Sequence, residues 1–409
     1  MWSNRPLLPA RVCEVAMKKT AAWVLDPASQ SQGSPETAQQ IVELLLHNMR
    51  YSQLAGFTLE CMGSILWSVG SMWGSSAARS NQRSRSTNDS DTTPERFPHI
   101  DMELGSDCSC LQLPSDQQRV MLQVVQKWLA SSETMEWLAN KSYTTRLSDL
   151  VSLLWGYAAL LLVATPDMQQ SQRQQQVEGA VGRSKRQPGL DPCKVFAPDT
   201  GSTTADGFRV DARPSLDHLA RRTADLLTAS YGTGEPVAAA AELTDLAWAL
   251  SVIDQRSAAT AQLAEAIAHE VYRQLSNRYS LQAPFTAGDI VKIVQSYAQM
   301  GLTDGSIARM YDAVGSHVAK RIRAGHVGAM TRPADCAALL QGFADAGHVS
   351  VVVPELLTAC AMQISQEVAA FNEASEAAPA TTAAAVITSA AVCSNPPHSG
   401  ATAAAVTSS

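Results

Sequence analysis

The chain has no glycine-rich phosphate loop, no two histidines four residues apart, no Gly-x-Ser-x-Gly turn and no apolar run long enough to cross a membrane. Each absence removes a class of function. Gly179 to Lys185 holds glycines and a lysine, but without phosphate-loop spacing and among glutamines rather than after a strand. His269-Glu270 lacks the second histidine of a zinc-peptidase helix, and nothing near His269 or His317 supplies a nucleophile or a carboxylate partner. The least charged stretch, Leu150 to Thr165, would span about 24 Å as a helix, against about 30 Å of hydrocarbon. No enzyme, no membrane span, no cofactor and no metal site are therefore expected.

Cysteine usage points the same way. The eight cysteines are irregularly spaced, and the closest pair, Cys108-Ser109-Cys110, has no second pair or histidine beside it. With no secretory signal ahead of them, they read as thiols of a reducing compartment. Met17 to Leu25 opens like a bacterial signal peptide, yet its apolar run stops at Asp26. Residues 1–13 carry Arg5 and Arg11 with no acid before Glu14, the charge bias of an organelle transit peptide. The formal net charge of −7 argues against indiscriminate phosphate binding. It leaves room for a local basic stripe, and Arg221, Arg222, Arg273, Arg278, Arg309, Lys320, Arg321 and Arg323 could form one.

What the chain does have is a repeat. Leu150, Leu153, Leu154 and Tyr157 occupy positions 0, +3, +4 and +7 of a helical stripe, and so do Leu246, Ala249, Leu250 and Ile253. The pattern returns at Ile290, Ile293, Val294 and Tyr297, and at Cys336, Leu339, Leu340 and Phe343. An aspartate precedes each set: Asp149, Asp245, Asp289 and Asp335. Seventeen residues beyond the last three openings a second stripe begins, at Leu263, Ile307 and Val353. The openings at 246, 290 and 336 lie 44 and 46 residues apart, the period of a large two-helix repeat. Gly301, Gly305 and Gly347 mark the turns.

Weaker copies lie upstream, with Ile41, Leu44 and Leu45 before Gly56, and Met62, Ile65, Leu66 and Val69 after it. A helix around Val120, Val124, Val125, Trp128 and Leu129 and another with Leu216, Leu219, Ala220, Thr223 and Leu227 complete the interrupted units. The fold class expected is all-α, an α-solenoid of stacked helical hairpin repeats with disordered insertions and tail. Its expected divisions are an irregular N-terminus at 1–34 that could carry a transit signal, a solenoid at 35–368, and an Ala/Thr/Ser-rich tail at 369–409. Low hydrophobicity places disordered insertions at about 75–114 and 168–208.

Three segments carry a resemblance to a known family. Leu243 to Leu250 (LTDLAWAL), Asp289 to Gly301 (DIVKIVQSYAQMG) and Asp335 to Gly347 (DCAALLQGFADAG) resemble the first helices of octotricopeptide-repeat proteins and of the related FAST-kinase-domain family. A short Pro354-Glu355-Leu356 stands where octotricopeptide repeats have a longer proline-rich element. The resemblance implies a helical-repeat protein that binds single-stranded organelle transcripts, in the chloroplast or mitochondrial matrix, and acts in their processing, stability or translation. Other RNA-processing proteins would be its partners. Exposed Lys292, Gln295 and Gln299 in one unit and Gln341 and Asp345 in the next would meet base edges, while Arg309, Lys320, Arg321 and Arg323 would hold phosphates. The alternative is a protein-binding α-solenoid scaffold, which the acidic net charge favours.

Overall fold

The computed structural model describes residues 8–25, 35–52, 54, 56–86, 115–140, 145–164, 202–203, 209–210, 212–229, 237–253, 256–276, 285–325 and 332–377. Among them are thirteen helices: α1 (Ala10–Leu25), α2 (Pro35–Tyr51), α3 (Leu59–Ser86), α4 (Ser115–Leu129), α5 (Ser132–Ala139), α6 (Leu147–Ala164), α7 (Arg213–Ala229), α8 (Ala240–Ile253), α9 (Ala258–Ser276), α10 (Ala287–Met300), α11 (Ser306–Arg323), α12 (Pro333–Ala346) and α13 (Val352–Ala377). The β structure among the described residues is one two-residue antiparallel ladder, Ser202–Thr203 against Arg209–Val210.

The helices pack in two rows. In the first, α1, α3, α6, α8, α10 and α12 lie side by side; in the second, α2, α4, α5, α7, α9, α11 and α13 do the same. The chain is an α-solenoid of stacked helical hairpins.

The repeat is visible in the caps. Gly301 and Gly347 both end a first-row helix in the left-handed conformation, at φ 68° and 66°, where a side chain would be strained. The next amides, of Leu302 and His348, donate back to Tyr297 and Phe343 at 3.3 and 3.2 Å. At the start of α10, Thr286 and Asp289 form a reciprocal capping box, and Pro333 opens the first turn of α12. Asp149, Asp289 and Asp335 all fall on the third residue of their helices. Helix α8 differs because it begins a turn earlier: Glu242 accepts from the Ala239 amide at 2.9 Å, and Asp245 is left to pair with Lys292 of the next unit.

Positions 0, +3 and +4 are buried in α3, α6, α8 and α10, at Met62, Ile65 and Leu66 through to Ile290, Ile293 and Val294. Each large side chain so covered contributes about 1.5–3 kcal/mol. Position +7 braces a helix against the second-row helix of the preceding unit. The Tyr297 hydroxyl donates to Ala264 of α9 at 2.6 Å, Gln126 of α4 donates to the Tyr157 hydroxyl at 3.4 Å, and Phe343 meets Tyr311 of α11 edge-on at 5.2 Å.

Small residues set the spacing of the first row. A Cβ added at Gly156 of α6 would strike the backbone of Leu66 on α3, and one at Gly63 of α3 would lie 2.7 Å from the Asp149 carbonyl oxygen. Gly342, the equivalent of Gly156 in α12, faces Val294 of α10, and Val294 is the equivalent of Leu66. The same register is thus reused three first-row helices along.

Four expectations need correction. Residues 10–25, read as part of an irregular N-terminus, form α1, with Cys13, Met17 and Ala21 buried. Its stripe is Cys13, Ala16, Met17 and Thr20, too small and polar to stand out in sequence. Leu44, placed on an apolar stripe, and Leu357, four residues along the stripe that opens at Val353, are 42% and 48% exposed, because Val42 and Leu45, and Leu356, Ala359 and Cys360, take the inward face instead. Helix α3 runs on to Ser86, into the segment read as irregular from 75, and α13 runs on to Ala377, past the boundary at 368. The rest of both expected insertions, apart from the short ladder, and the tail beyond 377 lie outside the described residues.

Candidate nucleic-acid interface

The first-row helices present one repeated outward face. On α10, Lys292, Gln295 and Gln299 stand at positions +2, +5 and +9; on the neighbouring α12, Gln341 and Asp345 stand at +5 and +9. The four residues at +5 and +9 are exposed. Gln341 donates to Asp345 at 2.8 Å, which orients its amide along the helix. Lys292 is more enclosed, its Nζ 3.2 Å from Asp245 Oδ1 and 5.3 Å from the centre of the Trp248 ring. An ammonium has three donors, so the bond to Asp245 leaves others for a ligand.

The basic residues are arranged differently. Arg309, Lys320, Arg321 and Arg323 all belong to α11, in the second row, not to the row that carries the glutamines. Arg309 lies on the first turn and reaches Ser306 Oγ at 3.3 Å. The other three lie on the last turn, about 18 Å further along the axis. Arg323 is 3.5 Å from Glu355 of α13. The structure therefore gathers the amide-bearing positions into a repeating column and spreads the cations over both edges of the slab.

One further residue of the basic set is settled by its neighbours. Arg273 is committed to the buried Glu270, at 2.7 Å through both Nε and Nη2, and Glu270 also accepts from Gln274 and from the Val237 amide. This network holds the entry to α8. Arg221 is exposed on α7 and Arg222 half-buried, whereas Arg278 lies outside the described residues. His317 adds no charge at neutral pH. Burial, then the nearby Arg321 and Lys320, push its imidazole down to about 4, and its Nε2 is enclosed without a hydrogen-bond partner among the described residues.

The sequence reading missed three tryptophans. Trp67 of α3, Trp155 of α6 and Trp248 of α8 form a ladder across three adjacent first-row helices, with ring centres 6.4 and 5.7 Å apart and planes tilted by 39° and 40°. Trp67 is 44% exposed, and the other two are half-buried. Trp67 and Trp155 occupy position +5, the place of Gln295 and Gln341 further along; in α8 the +5 residue, Ser251, is buried and Trp248 stands at +2 beside Lys292. Trp155 is seated on Gly70 of α3, where an added Cβ would lie 2.8 Å from its ring. The available signal was a large aromatic at +5 in two units, where α10 and α12 carry glutamine.

Among the described residues, no three His, Cys, Asp or Glu side chains converge as metal ligands, and no helix is long and apolar enough to cross a membrane. Set against known proteins, the chain matches no protein-family model, no curated protein and no solved structure.

Proposed function

We propose that this chain is a non-catalytic RNA-binding helical-repeat protein that reads single-stranded organelle transcripts along its first-row helices and acts in their processing, stability or translation. The observation that carries the proposal is the equivalence of Gln295 with Gln341 and of Gln299 with Asp345, exposed at the same two positions of adjacent helices. A column of this kind offers one set of hydrogen-bonding groups per unit, which is how helical-repeat readers address successive bases. The likeness of Asp289 to Gly301 and Asp335 to Gly347 to octotricopeptide first helices supports both the ligand and the organelle, chloroplast or mitochondrion. Phosphate contacts would come from Lys292 and from the edge cations of α11, few enough to fit a net charge of −7.

Filter binding of single-stranded RNA over a series of salt concentrations tests this. Binding should be strongest at low salt and weaken as counterions compete. Gln295→Ala with Gln341→Ala should change which sequences are preferred, and Arg321→Ala with Arg323→Ala should lower the salt dependence by up to about two phosphate contacts. No binding to any RNA at low salt overturns the proposal.

A protein partner is favoured at one place. Around α13, Val349 and Val351 are 92% and 88% exposed, and Leu357, Met362 and Val368 are about half exposed. This apolar end suits another RNA-processing protein and does not compete with the glutamine column.

A further inference from the structure

We infer that the Trp67–Trp155–Trp248 ladder is a base-stacking platform on which unpaired nucleotides lie before the strand reaches the glutamine column. The inference rests on the RNA-binding reading and adds a second site to it. Three observations lead there.

The repeat does not require an indole at +5, the place of Trp67 and Trp155, or at +2, the place of Trp248, where α10 carries Lys292. Position +5 is filled by exposed Gln295 and Gln341 in α10 and α12, and the stripe residues Ile65, Leu66, Leu153 and Leu154 are themselves buried. Three large aromatics held at a helix surface gain less by burial than they would in the core, so their surplus is left for a ligand.

The platform is preorganised. Each ring touches the next, Trp155 fits against the bare backbone of Gly70, and Lys292 sits over Trp248. A ligand that stacks there meets side chains whose freedom is already spent.

The charges on either side suit a polyanion. Lys18 of α1, 53% exposed, occupies the position on α1 that Trp67 occupies on α3, and Lys292 stands at the other end. Lys18 is held by Glu14 at 2.9 Å and Lys292 by Asp245 at 3.2 Å, so both ammonium groups are fixed in place with donors to spare. Proline-rich peptides also bind aromatic rows, but they seat proline rings in gaps between aromatics, and here adjacent rings are in contact. An anionic chain with flat, sequence-tolerant π-faces satisfies both the ring wall and the two lysines.

The test uses the full chain, short single-stranded oligouridine, and an abasic ribose-phosphate strand of equal length. Binding of oligouridine should quench tryptophan fluorescence, and the abasic strand should bind about tenfold or more weakly, as loss of a base stack costs. Trp67→Ala, at the most exposed ring, should weaken oligouridine binding about tenfold with the salt dependence unchanged. Gly70→Ala, which dislodges Trp155 without removing an indole, should weaken it as well. Equal affinity for the two strands, or RNA binding that neither quenches fluorescence nor responds to Trp67→Ala, overturns the platform and leaves the RNA reading standing. No binding of either strand at low salt removes that reading and the platform with it. Saturable binding of a proline-rich peptide that oligouridine fails to displace assigns the ladder to a protein and also overturns the inference.

Discussion

The hydroxyl of Tyr297 donates to the carbonyl of Ala264 at 2.6 Å, joining a first-row helix of one unit to a second-row helix of the unit before it. Both residues are buried, so the bond has no water to replace it. Tyr297→Phe should cost about 1 kcal/mol in urea unfolding. Tyr157→Phe, where the corresponding bond from Gln126 is 3.4 Å long, should cost less.

The contact of α3 with α6 depends on a missing side chain. Gly156→Ala drives a Cβ into the backbone of Leu66, which cannot turn aside as a side chain could. The expected loss is about 3 kcal/mol, the upper part of the range for overpacking. Gly301→Ala is the contrast. Its surroundings are open within 4 Å and only the left-handed φ of 68° is strained, so about 1 kcal/mol should suffice. Denaturant midpoints of the two variants in parallel check the ordering.

Helix α1 belongs to the solenoid. It covers the flank of α3 with Cys13, Met17 and Ala21, and the Cys61 thiol of α3 donates to the Ala10 carbonyl at 3.3 Å. Deleting the chain through Leu25 should therefore lower the stability of the remainder by roughly 3–6 kcal/mol, two large side chains' worth of uncovered surface. Thermal melts of the shortened and full chains measure this; equal midpoints would mean that α1 is only an appendage.

His317 makes the fold sensitive to mild acid. Its imidazole titrates normally at 6.5 and in the folded chain at about 4, so between those values the unfolded chain takes up the proton first. The contribution is whole above about pH 6.5 and is lost as the pH falls towards 4. Allowing for the partial exposure of the ring, it amounts to about 1 kcal/mol. His317→Gln should flatten the fall in stability between about pH 7 and pH 5. Glu14 acts in a different window. Burial acts to raise its carboxyl, but hydrogen bonds from Lys18 and Arg11 prevail and hold it below its ordinary 4.5, so its contribution is lost only at lower pH.

The stripes of α7 and α10 were legible because large aliphatic residues recur there at helical spacing with polar residues between them. Helix α1 was not, since Cys13, Ala16, Met17 and Thr20 give little contrast with their neighbours. Periodicity also identifies a face without saying what covers it. Leu357 has the right spacing but sits on the uncovered side of α13, and Val353 beside it is only half-buried. The same limit applies to the candidate interface. Gln295 and Gln341 could be matched by counting, but the separation of Arg309 and Arg321 from them depends on which row each helix joins. The tryptophan ladder needed the stacking order of α3, α6 and α8, helices separated by long stretches of chain.

Ultraviolet crosslinking of the full chain to single-stranded RNA, with the attached peptides located by mass spectrometry, is the most direct measurement of where the strand lies. Crosslinks should fall on the outward positions of α3, α6, α8, α10 and α12, at Trp67, Trp155, Trp248 and the residues beside Gln295 and Gln341. Crosslinks confined to second-row helices, or none under conditions that retain RNA on the chain, would contradict a binding ribbon along the first row.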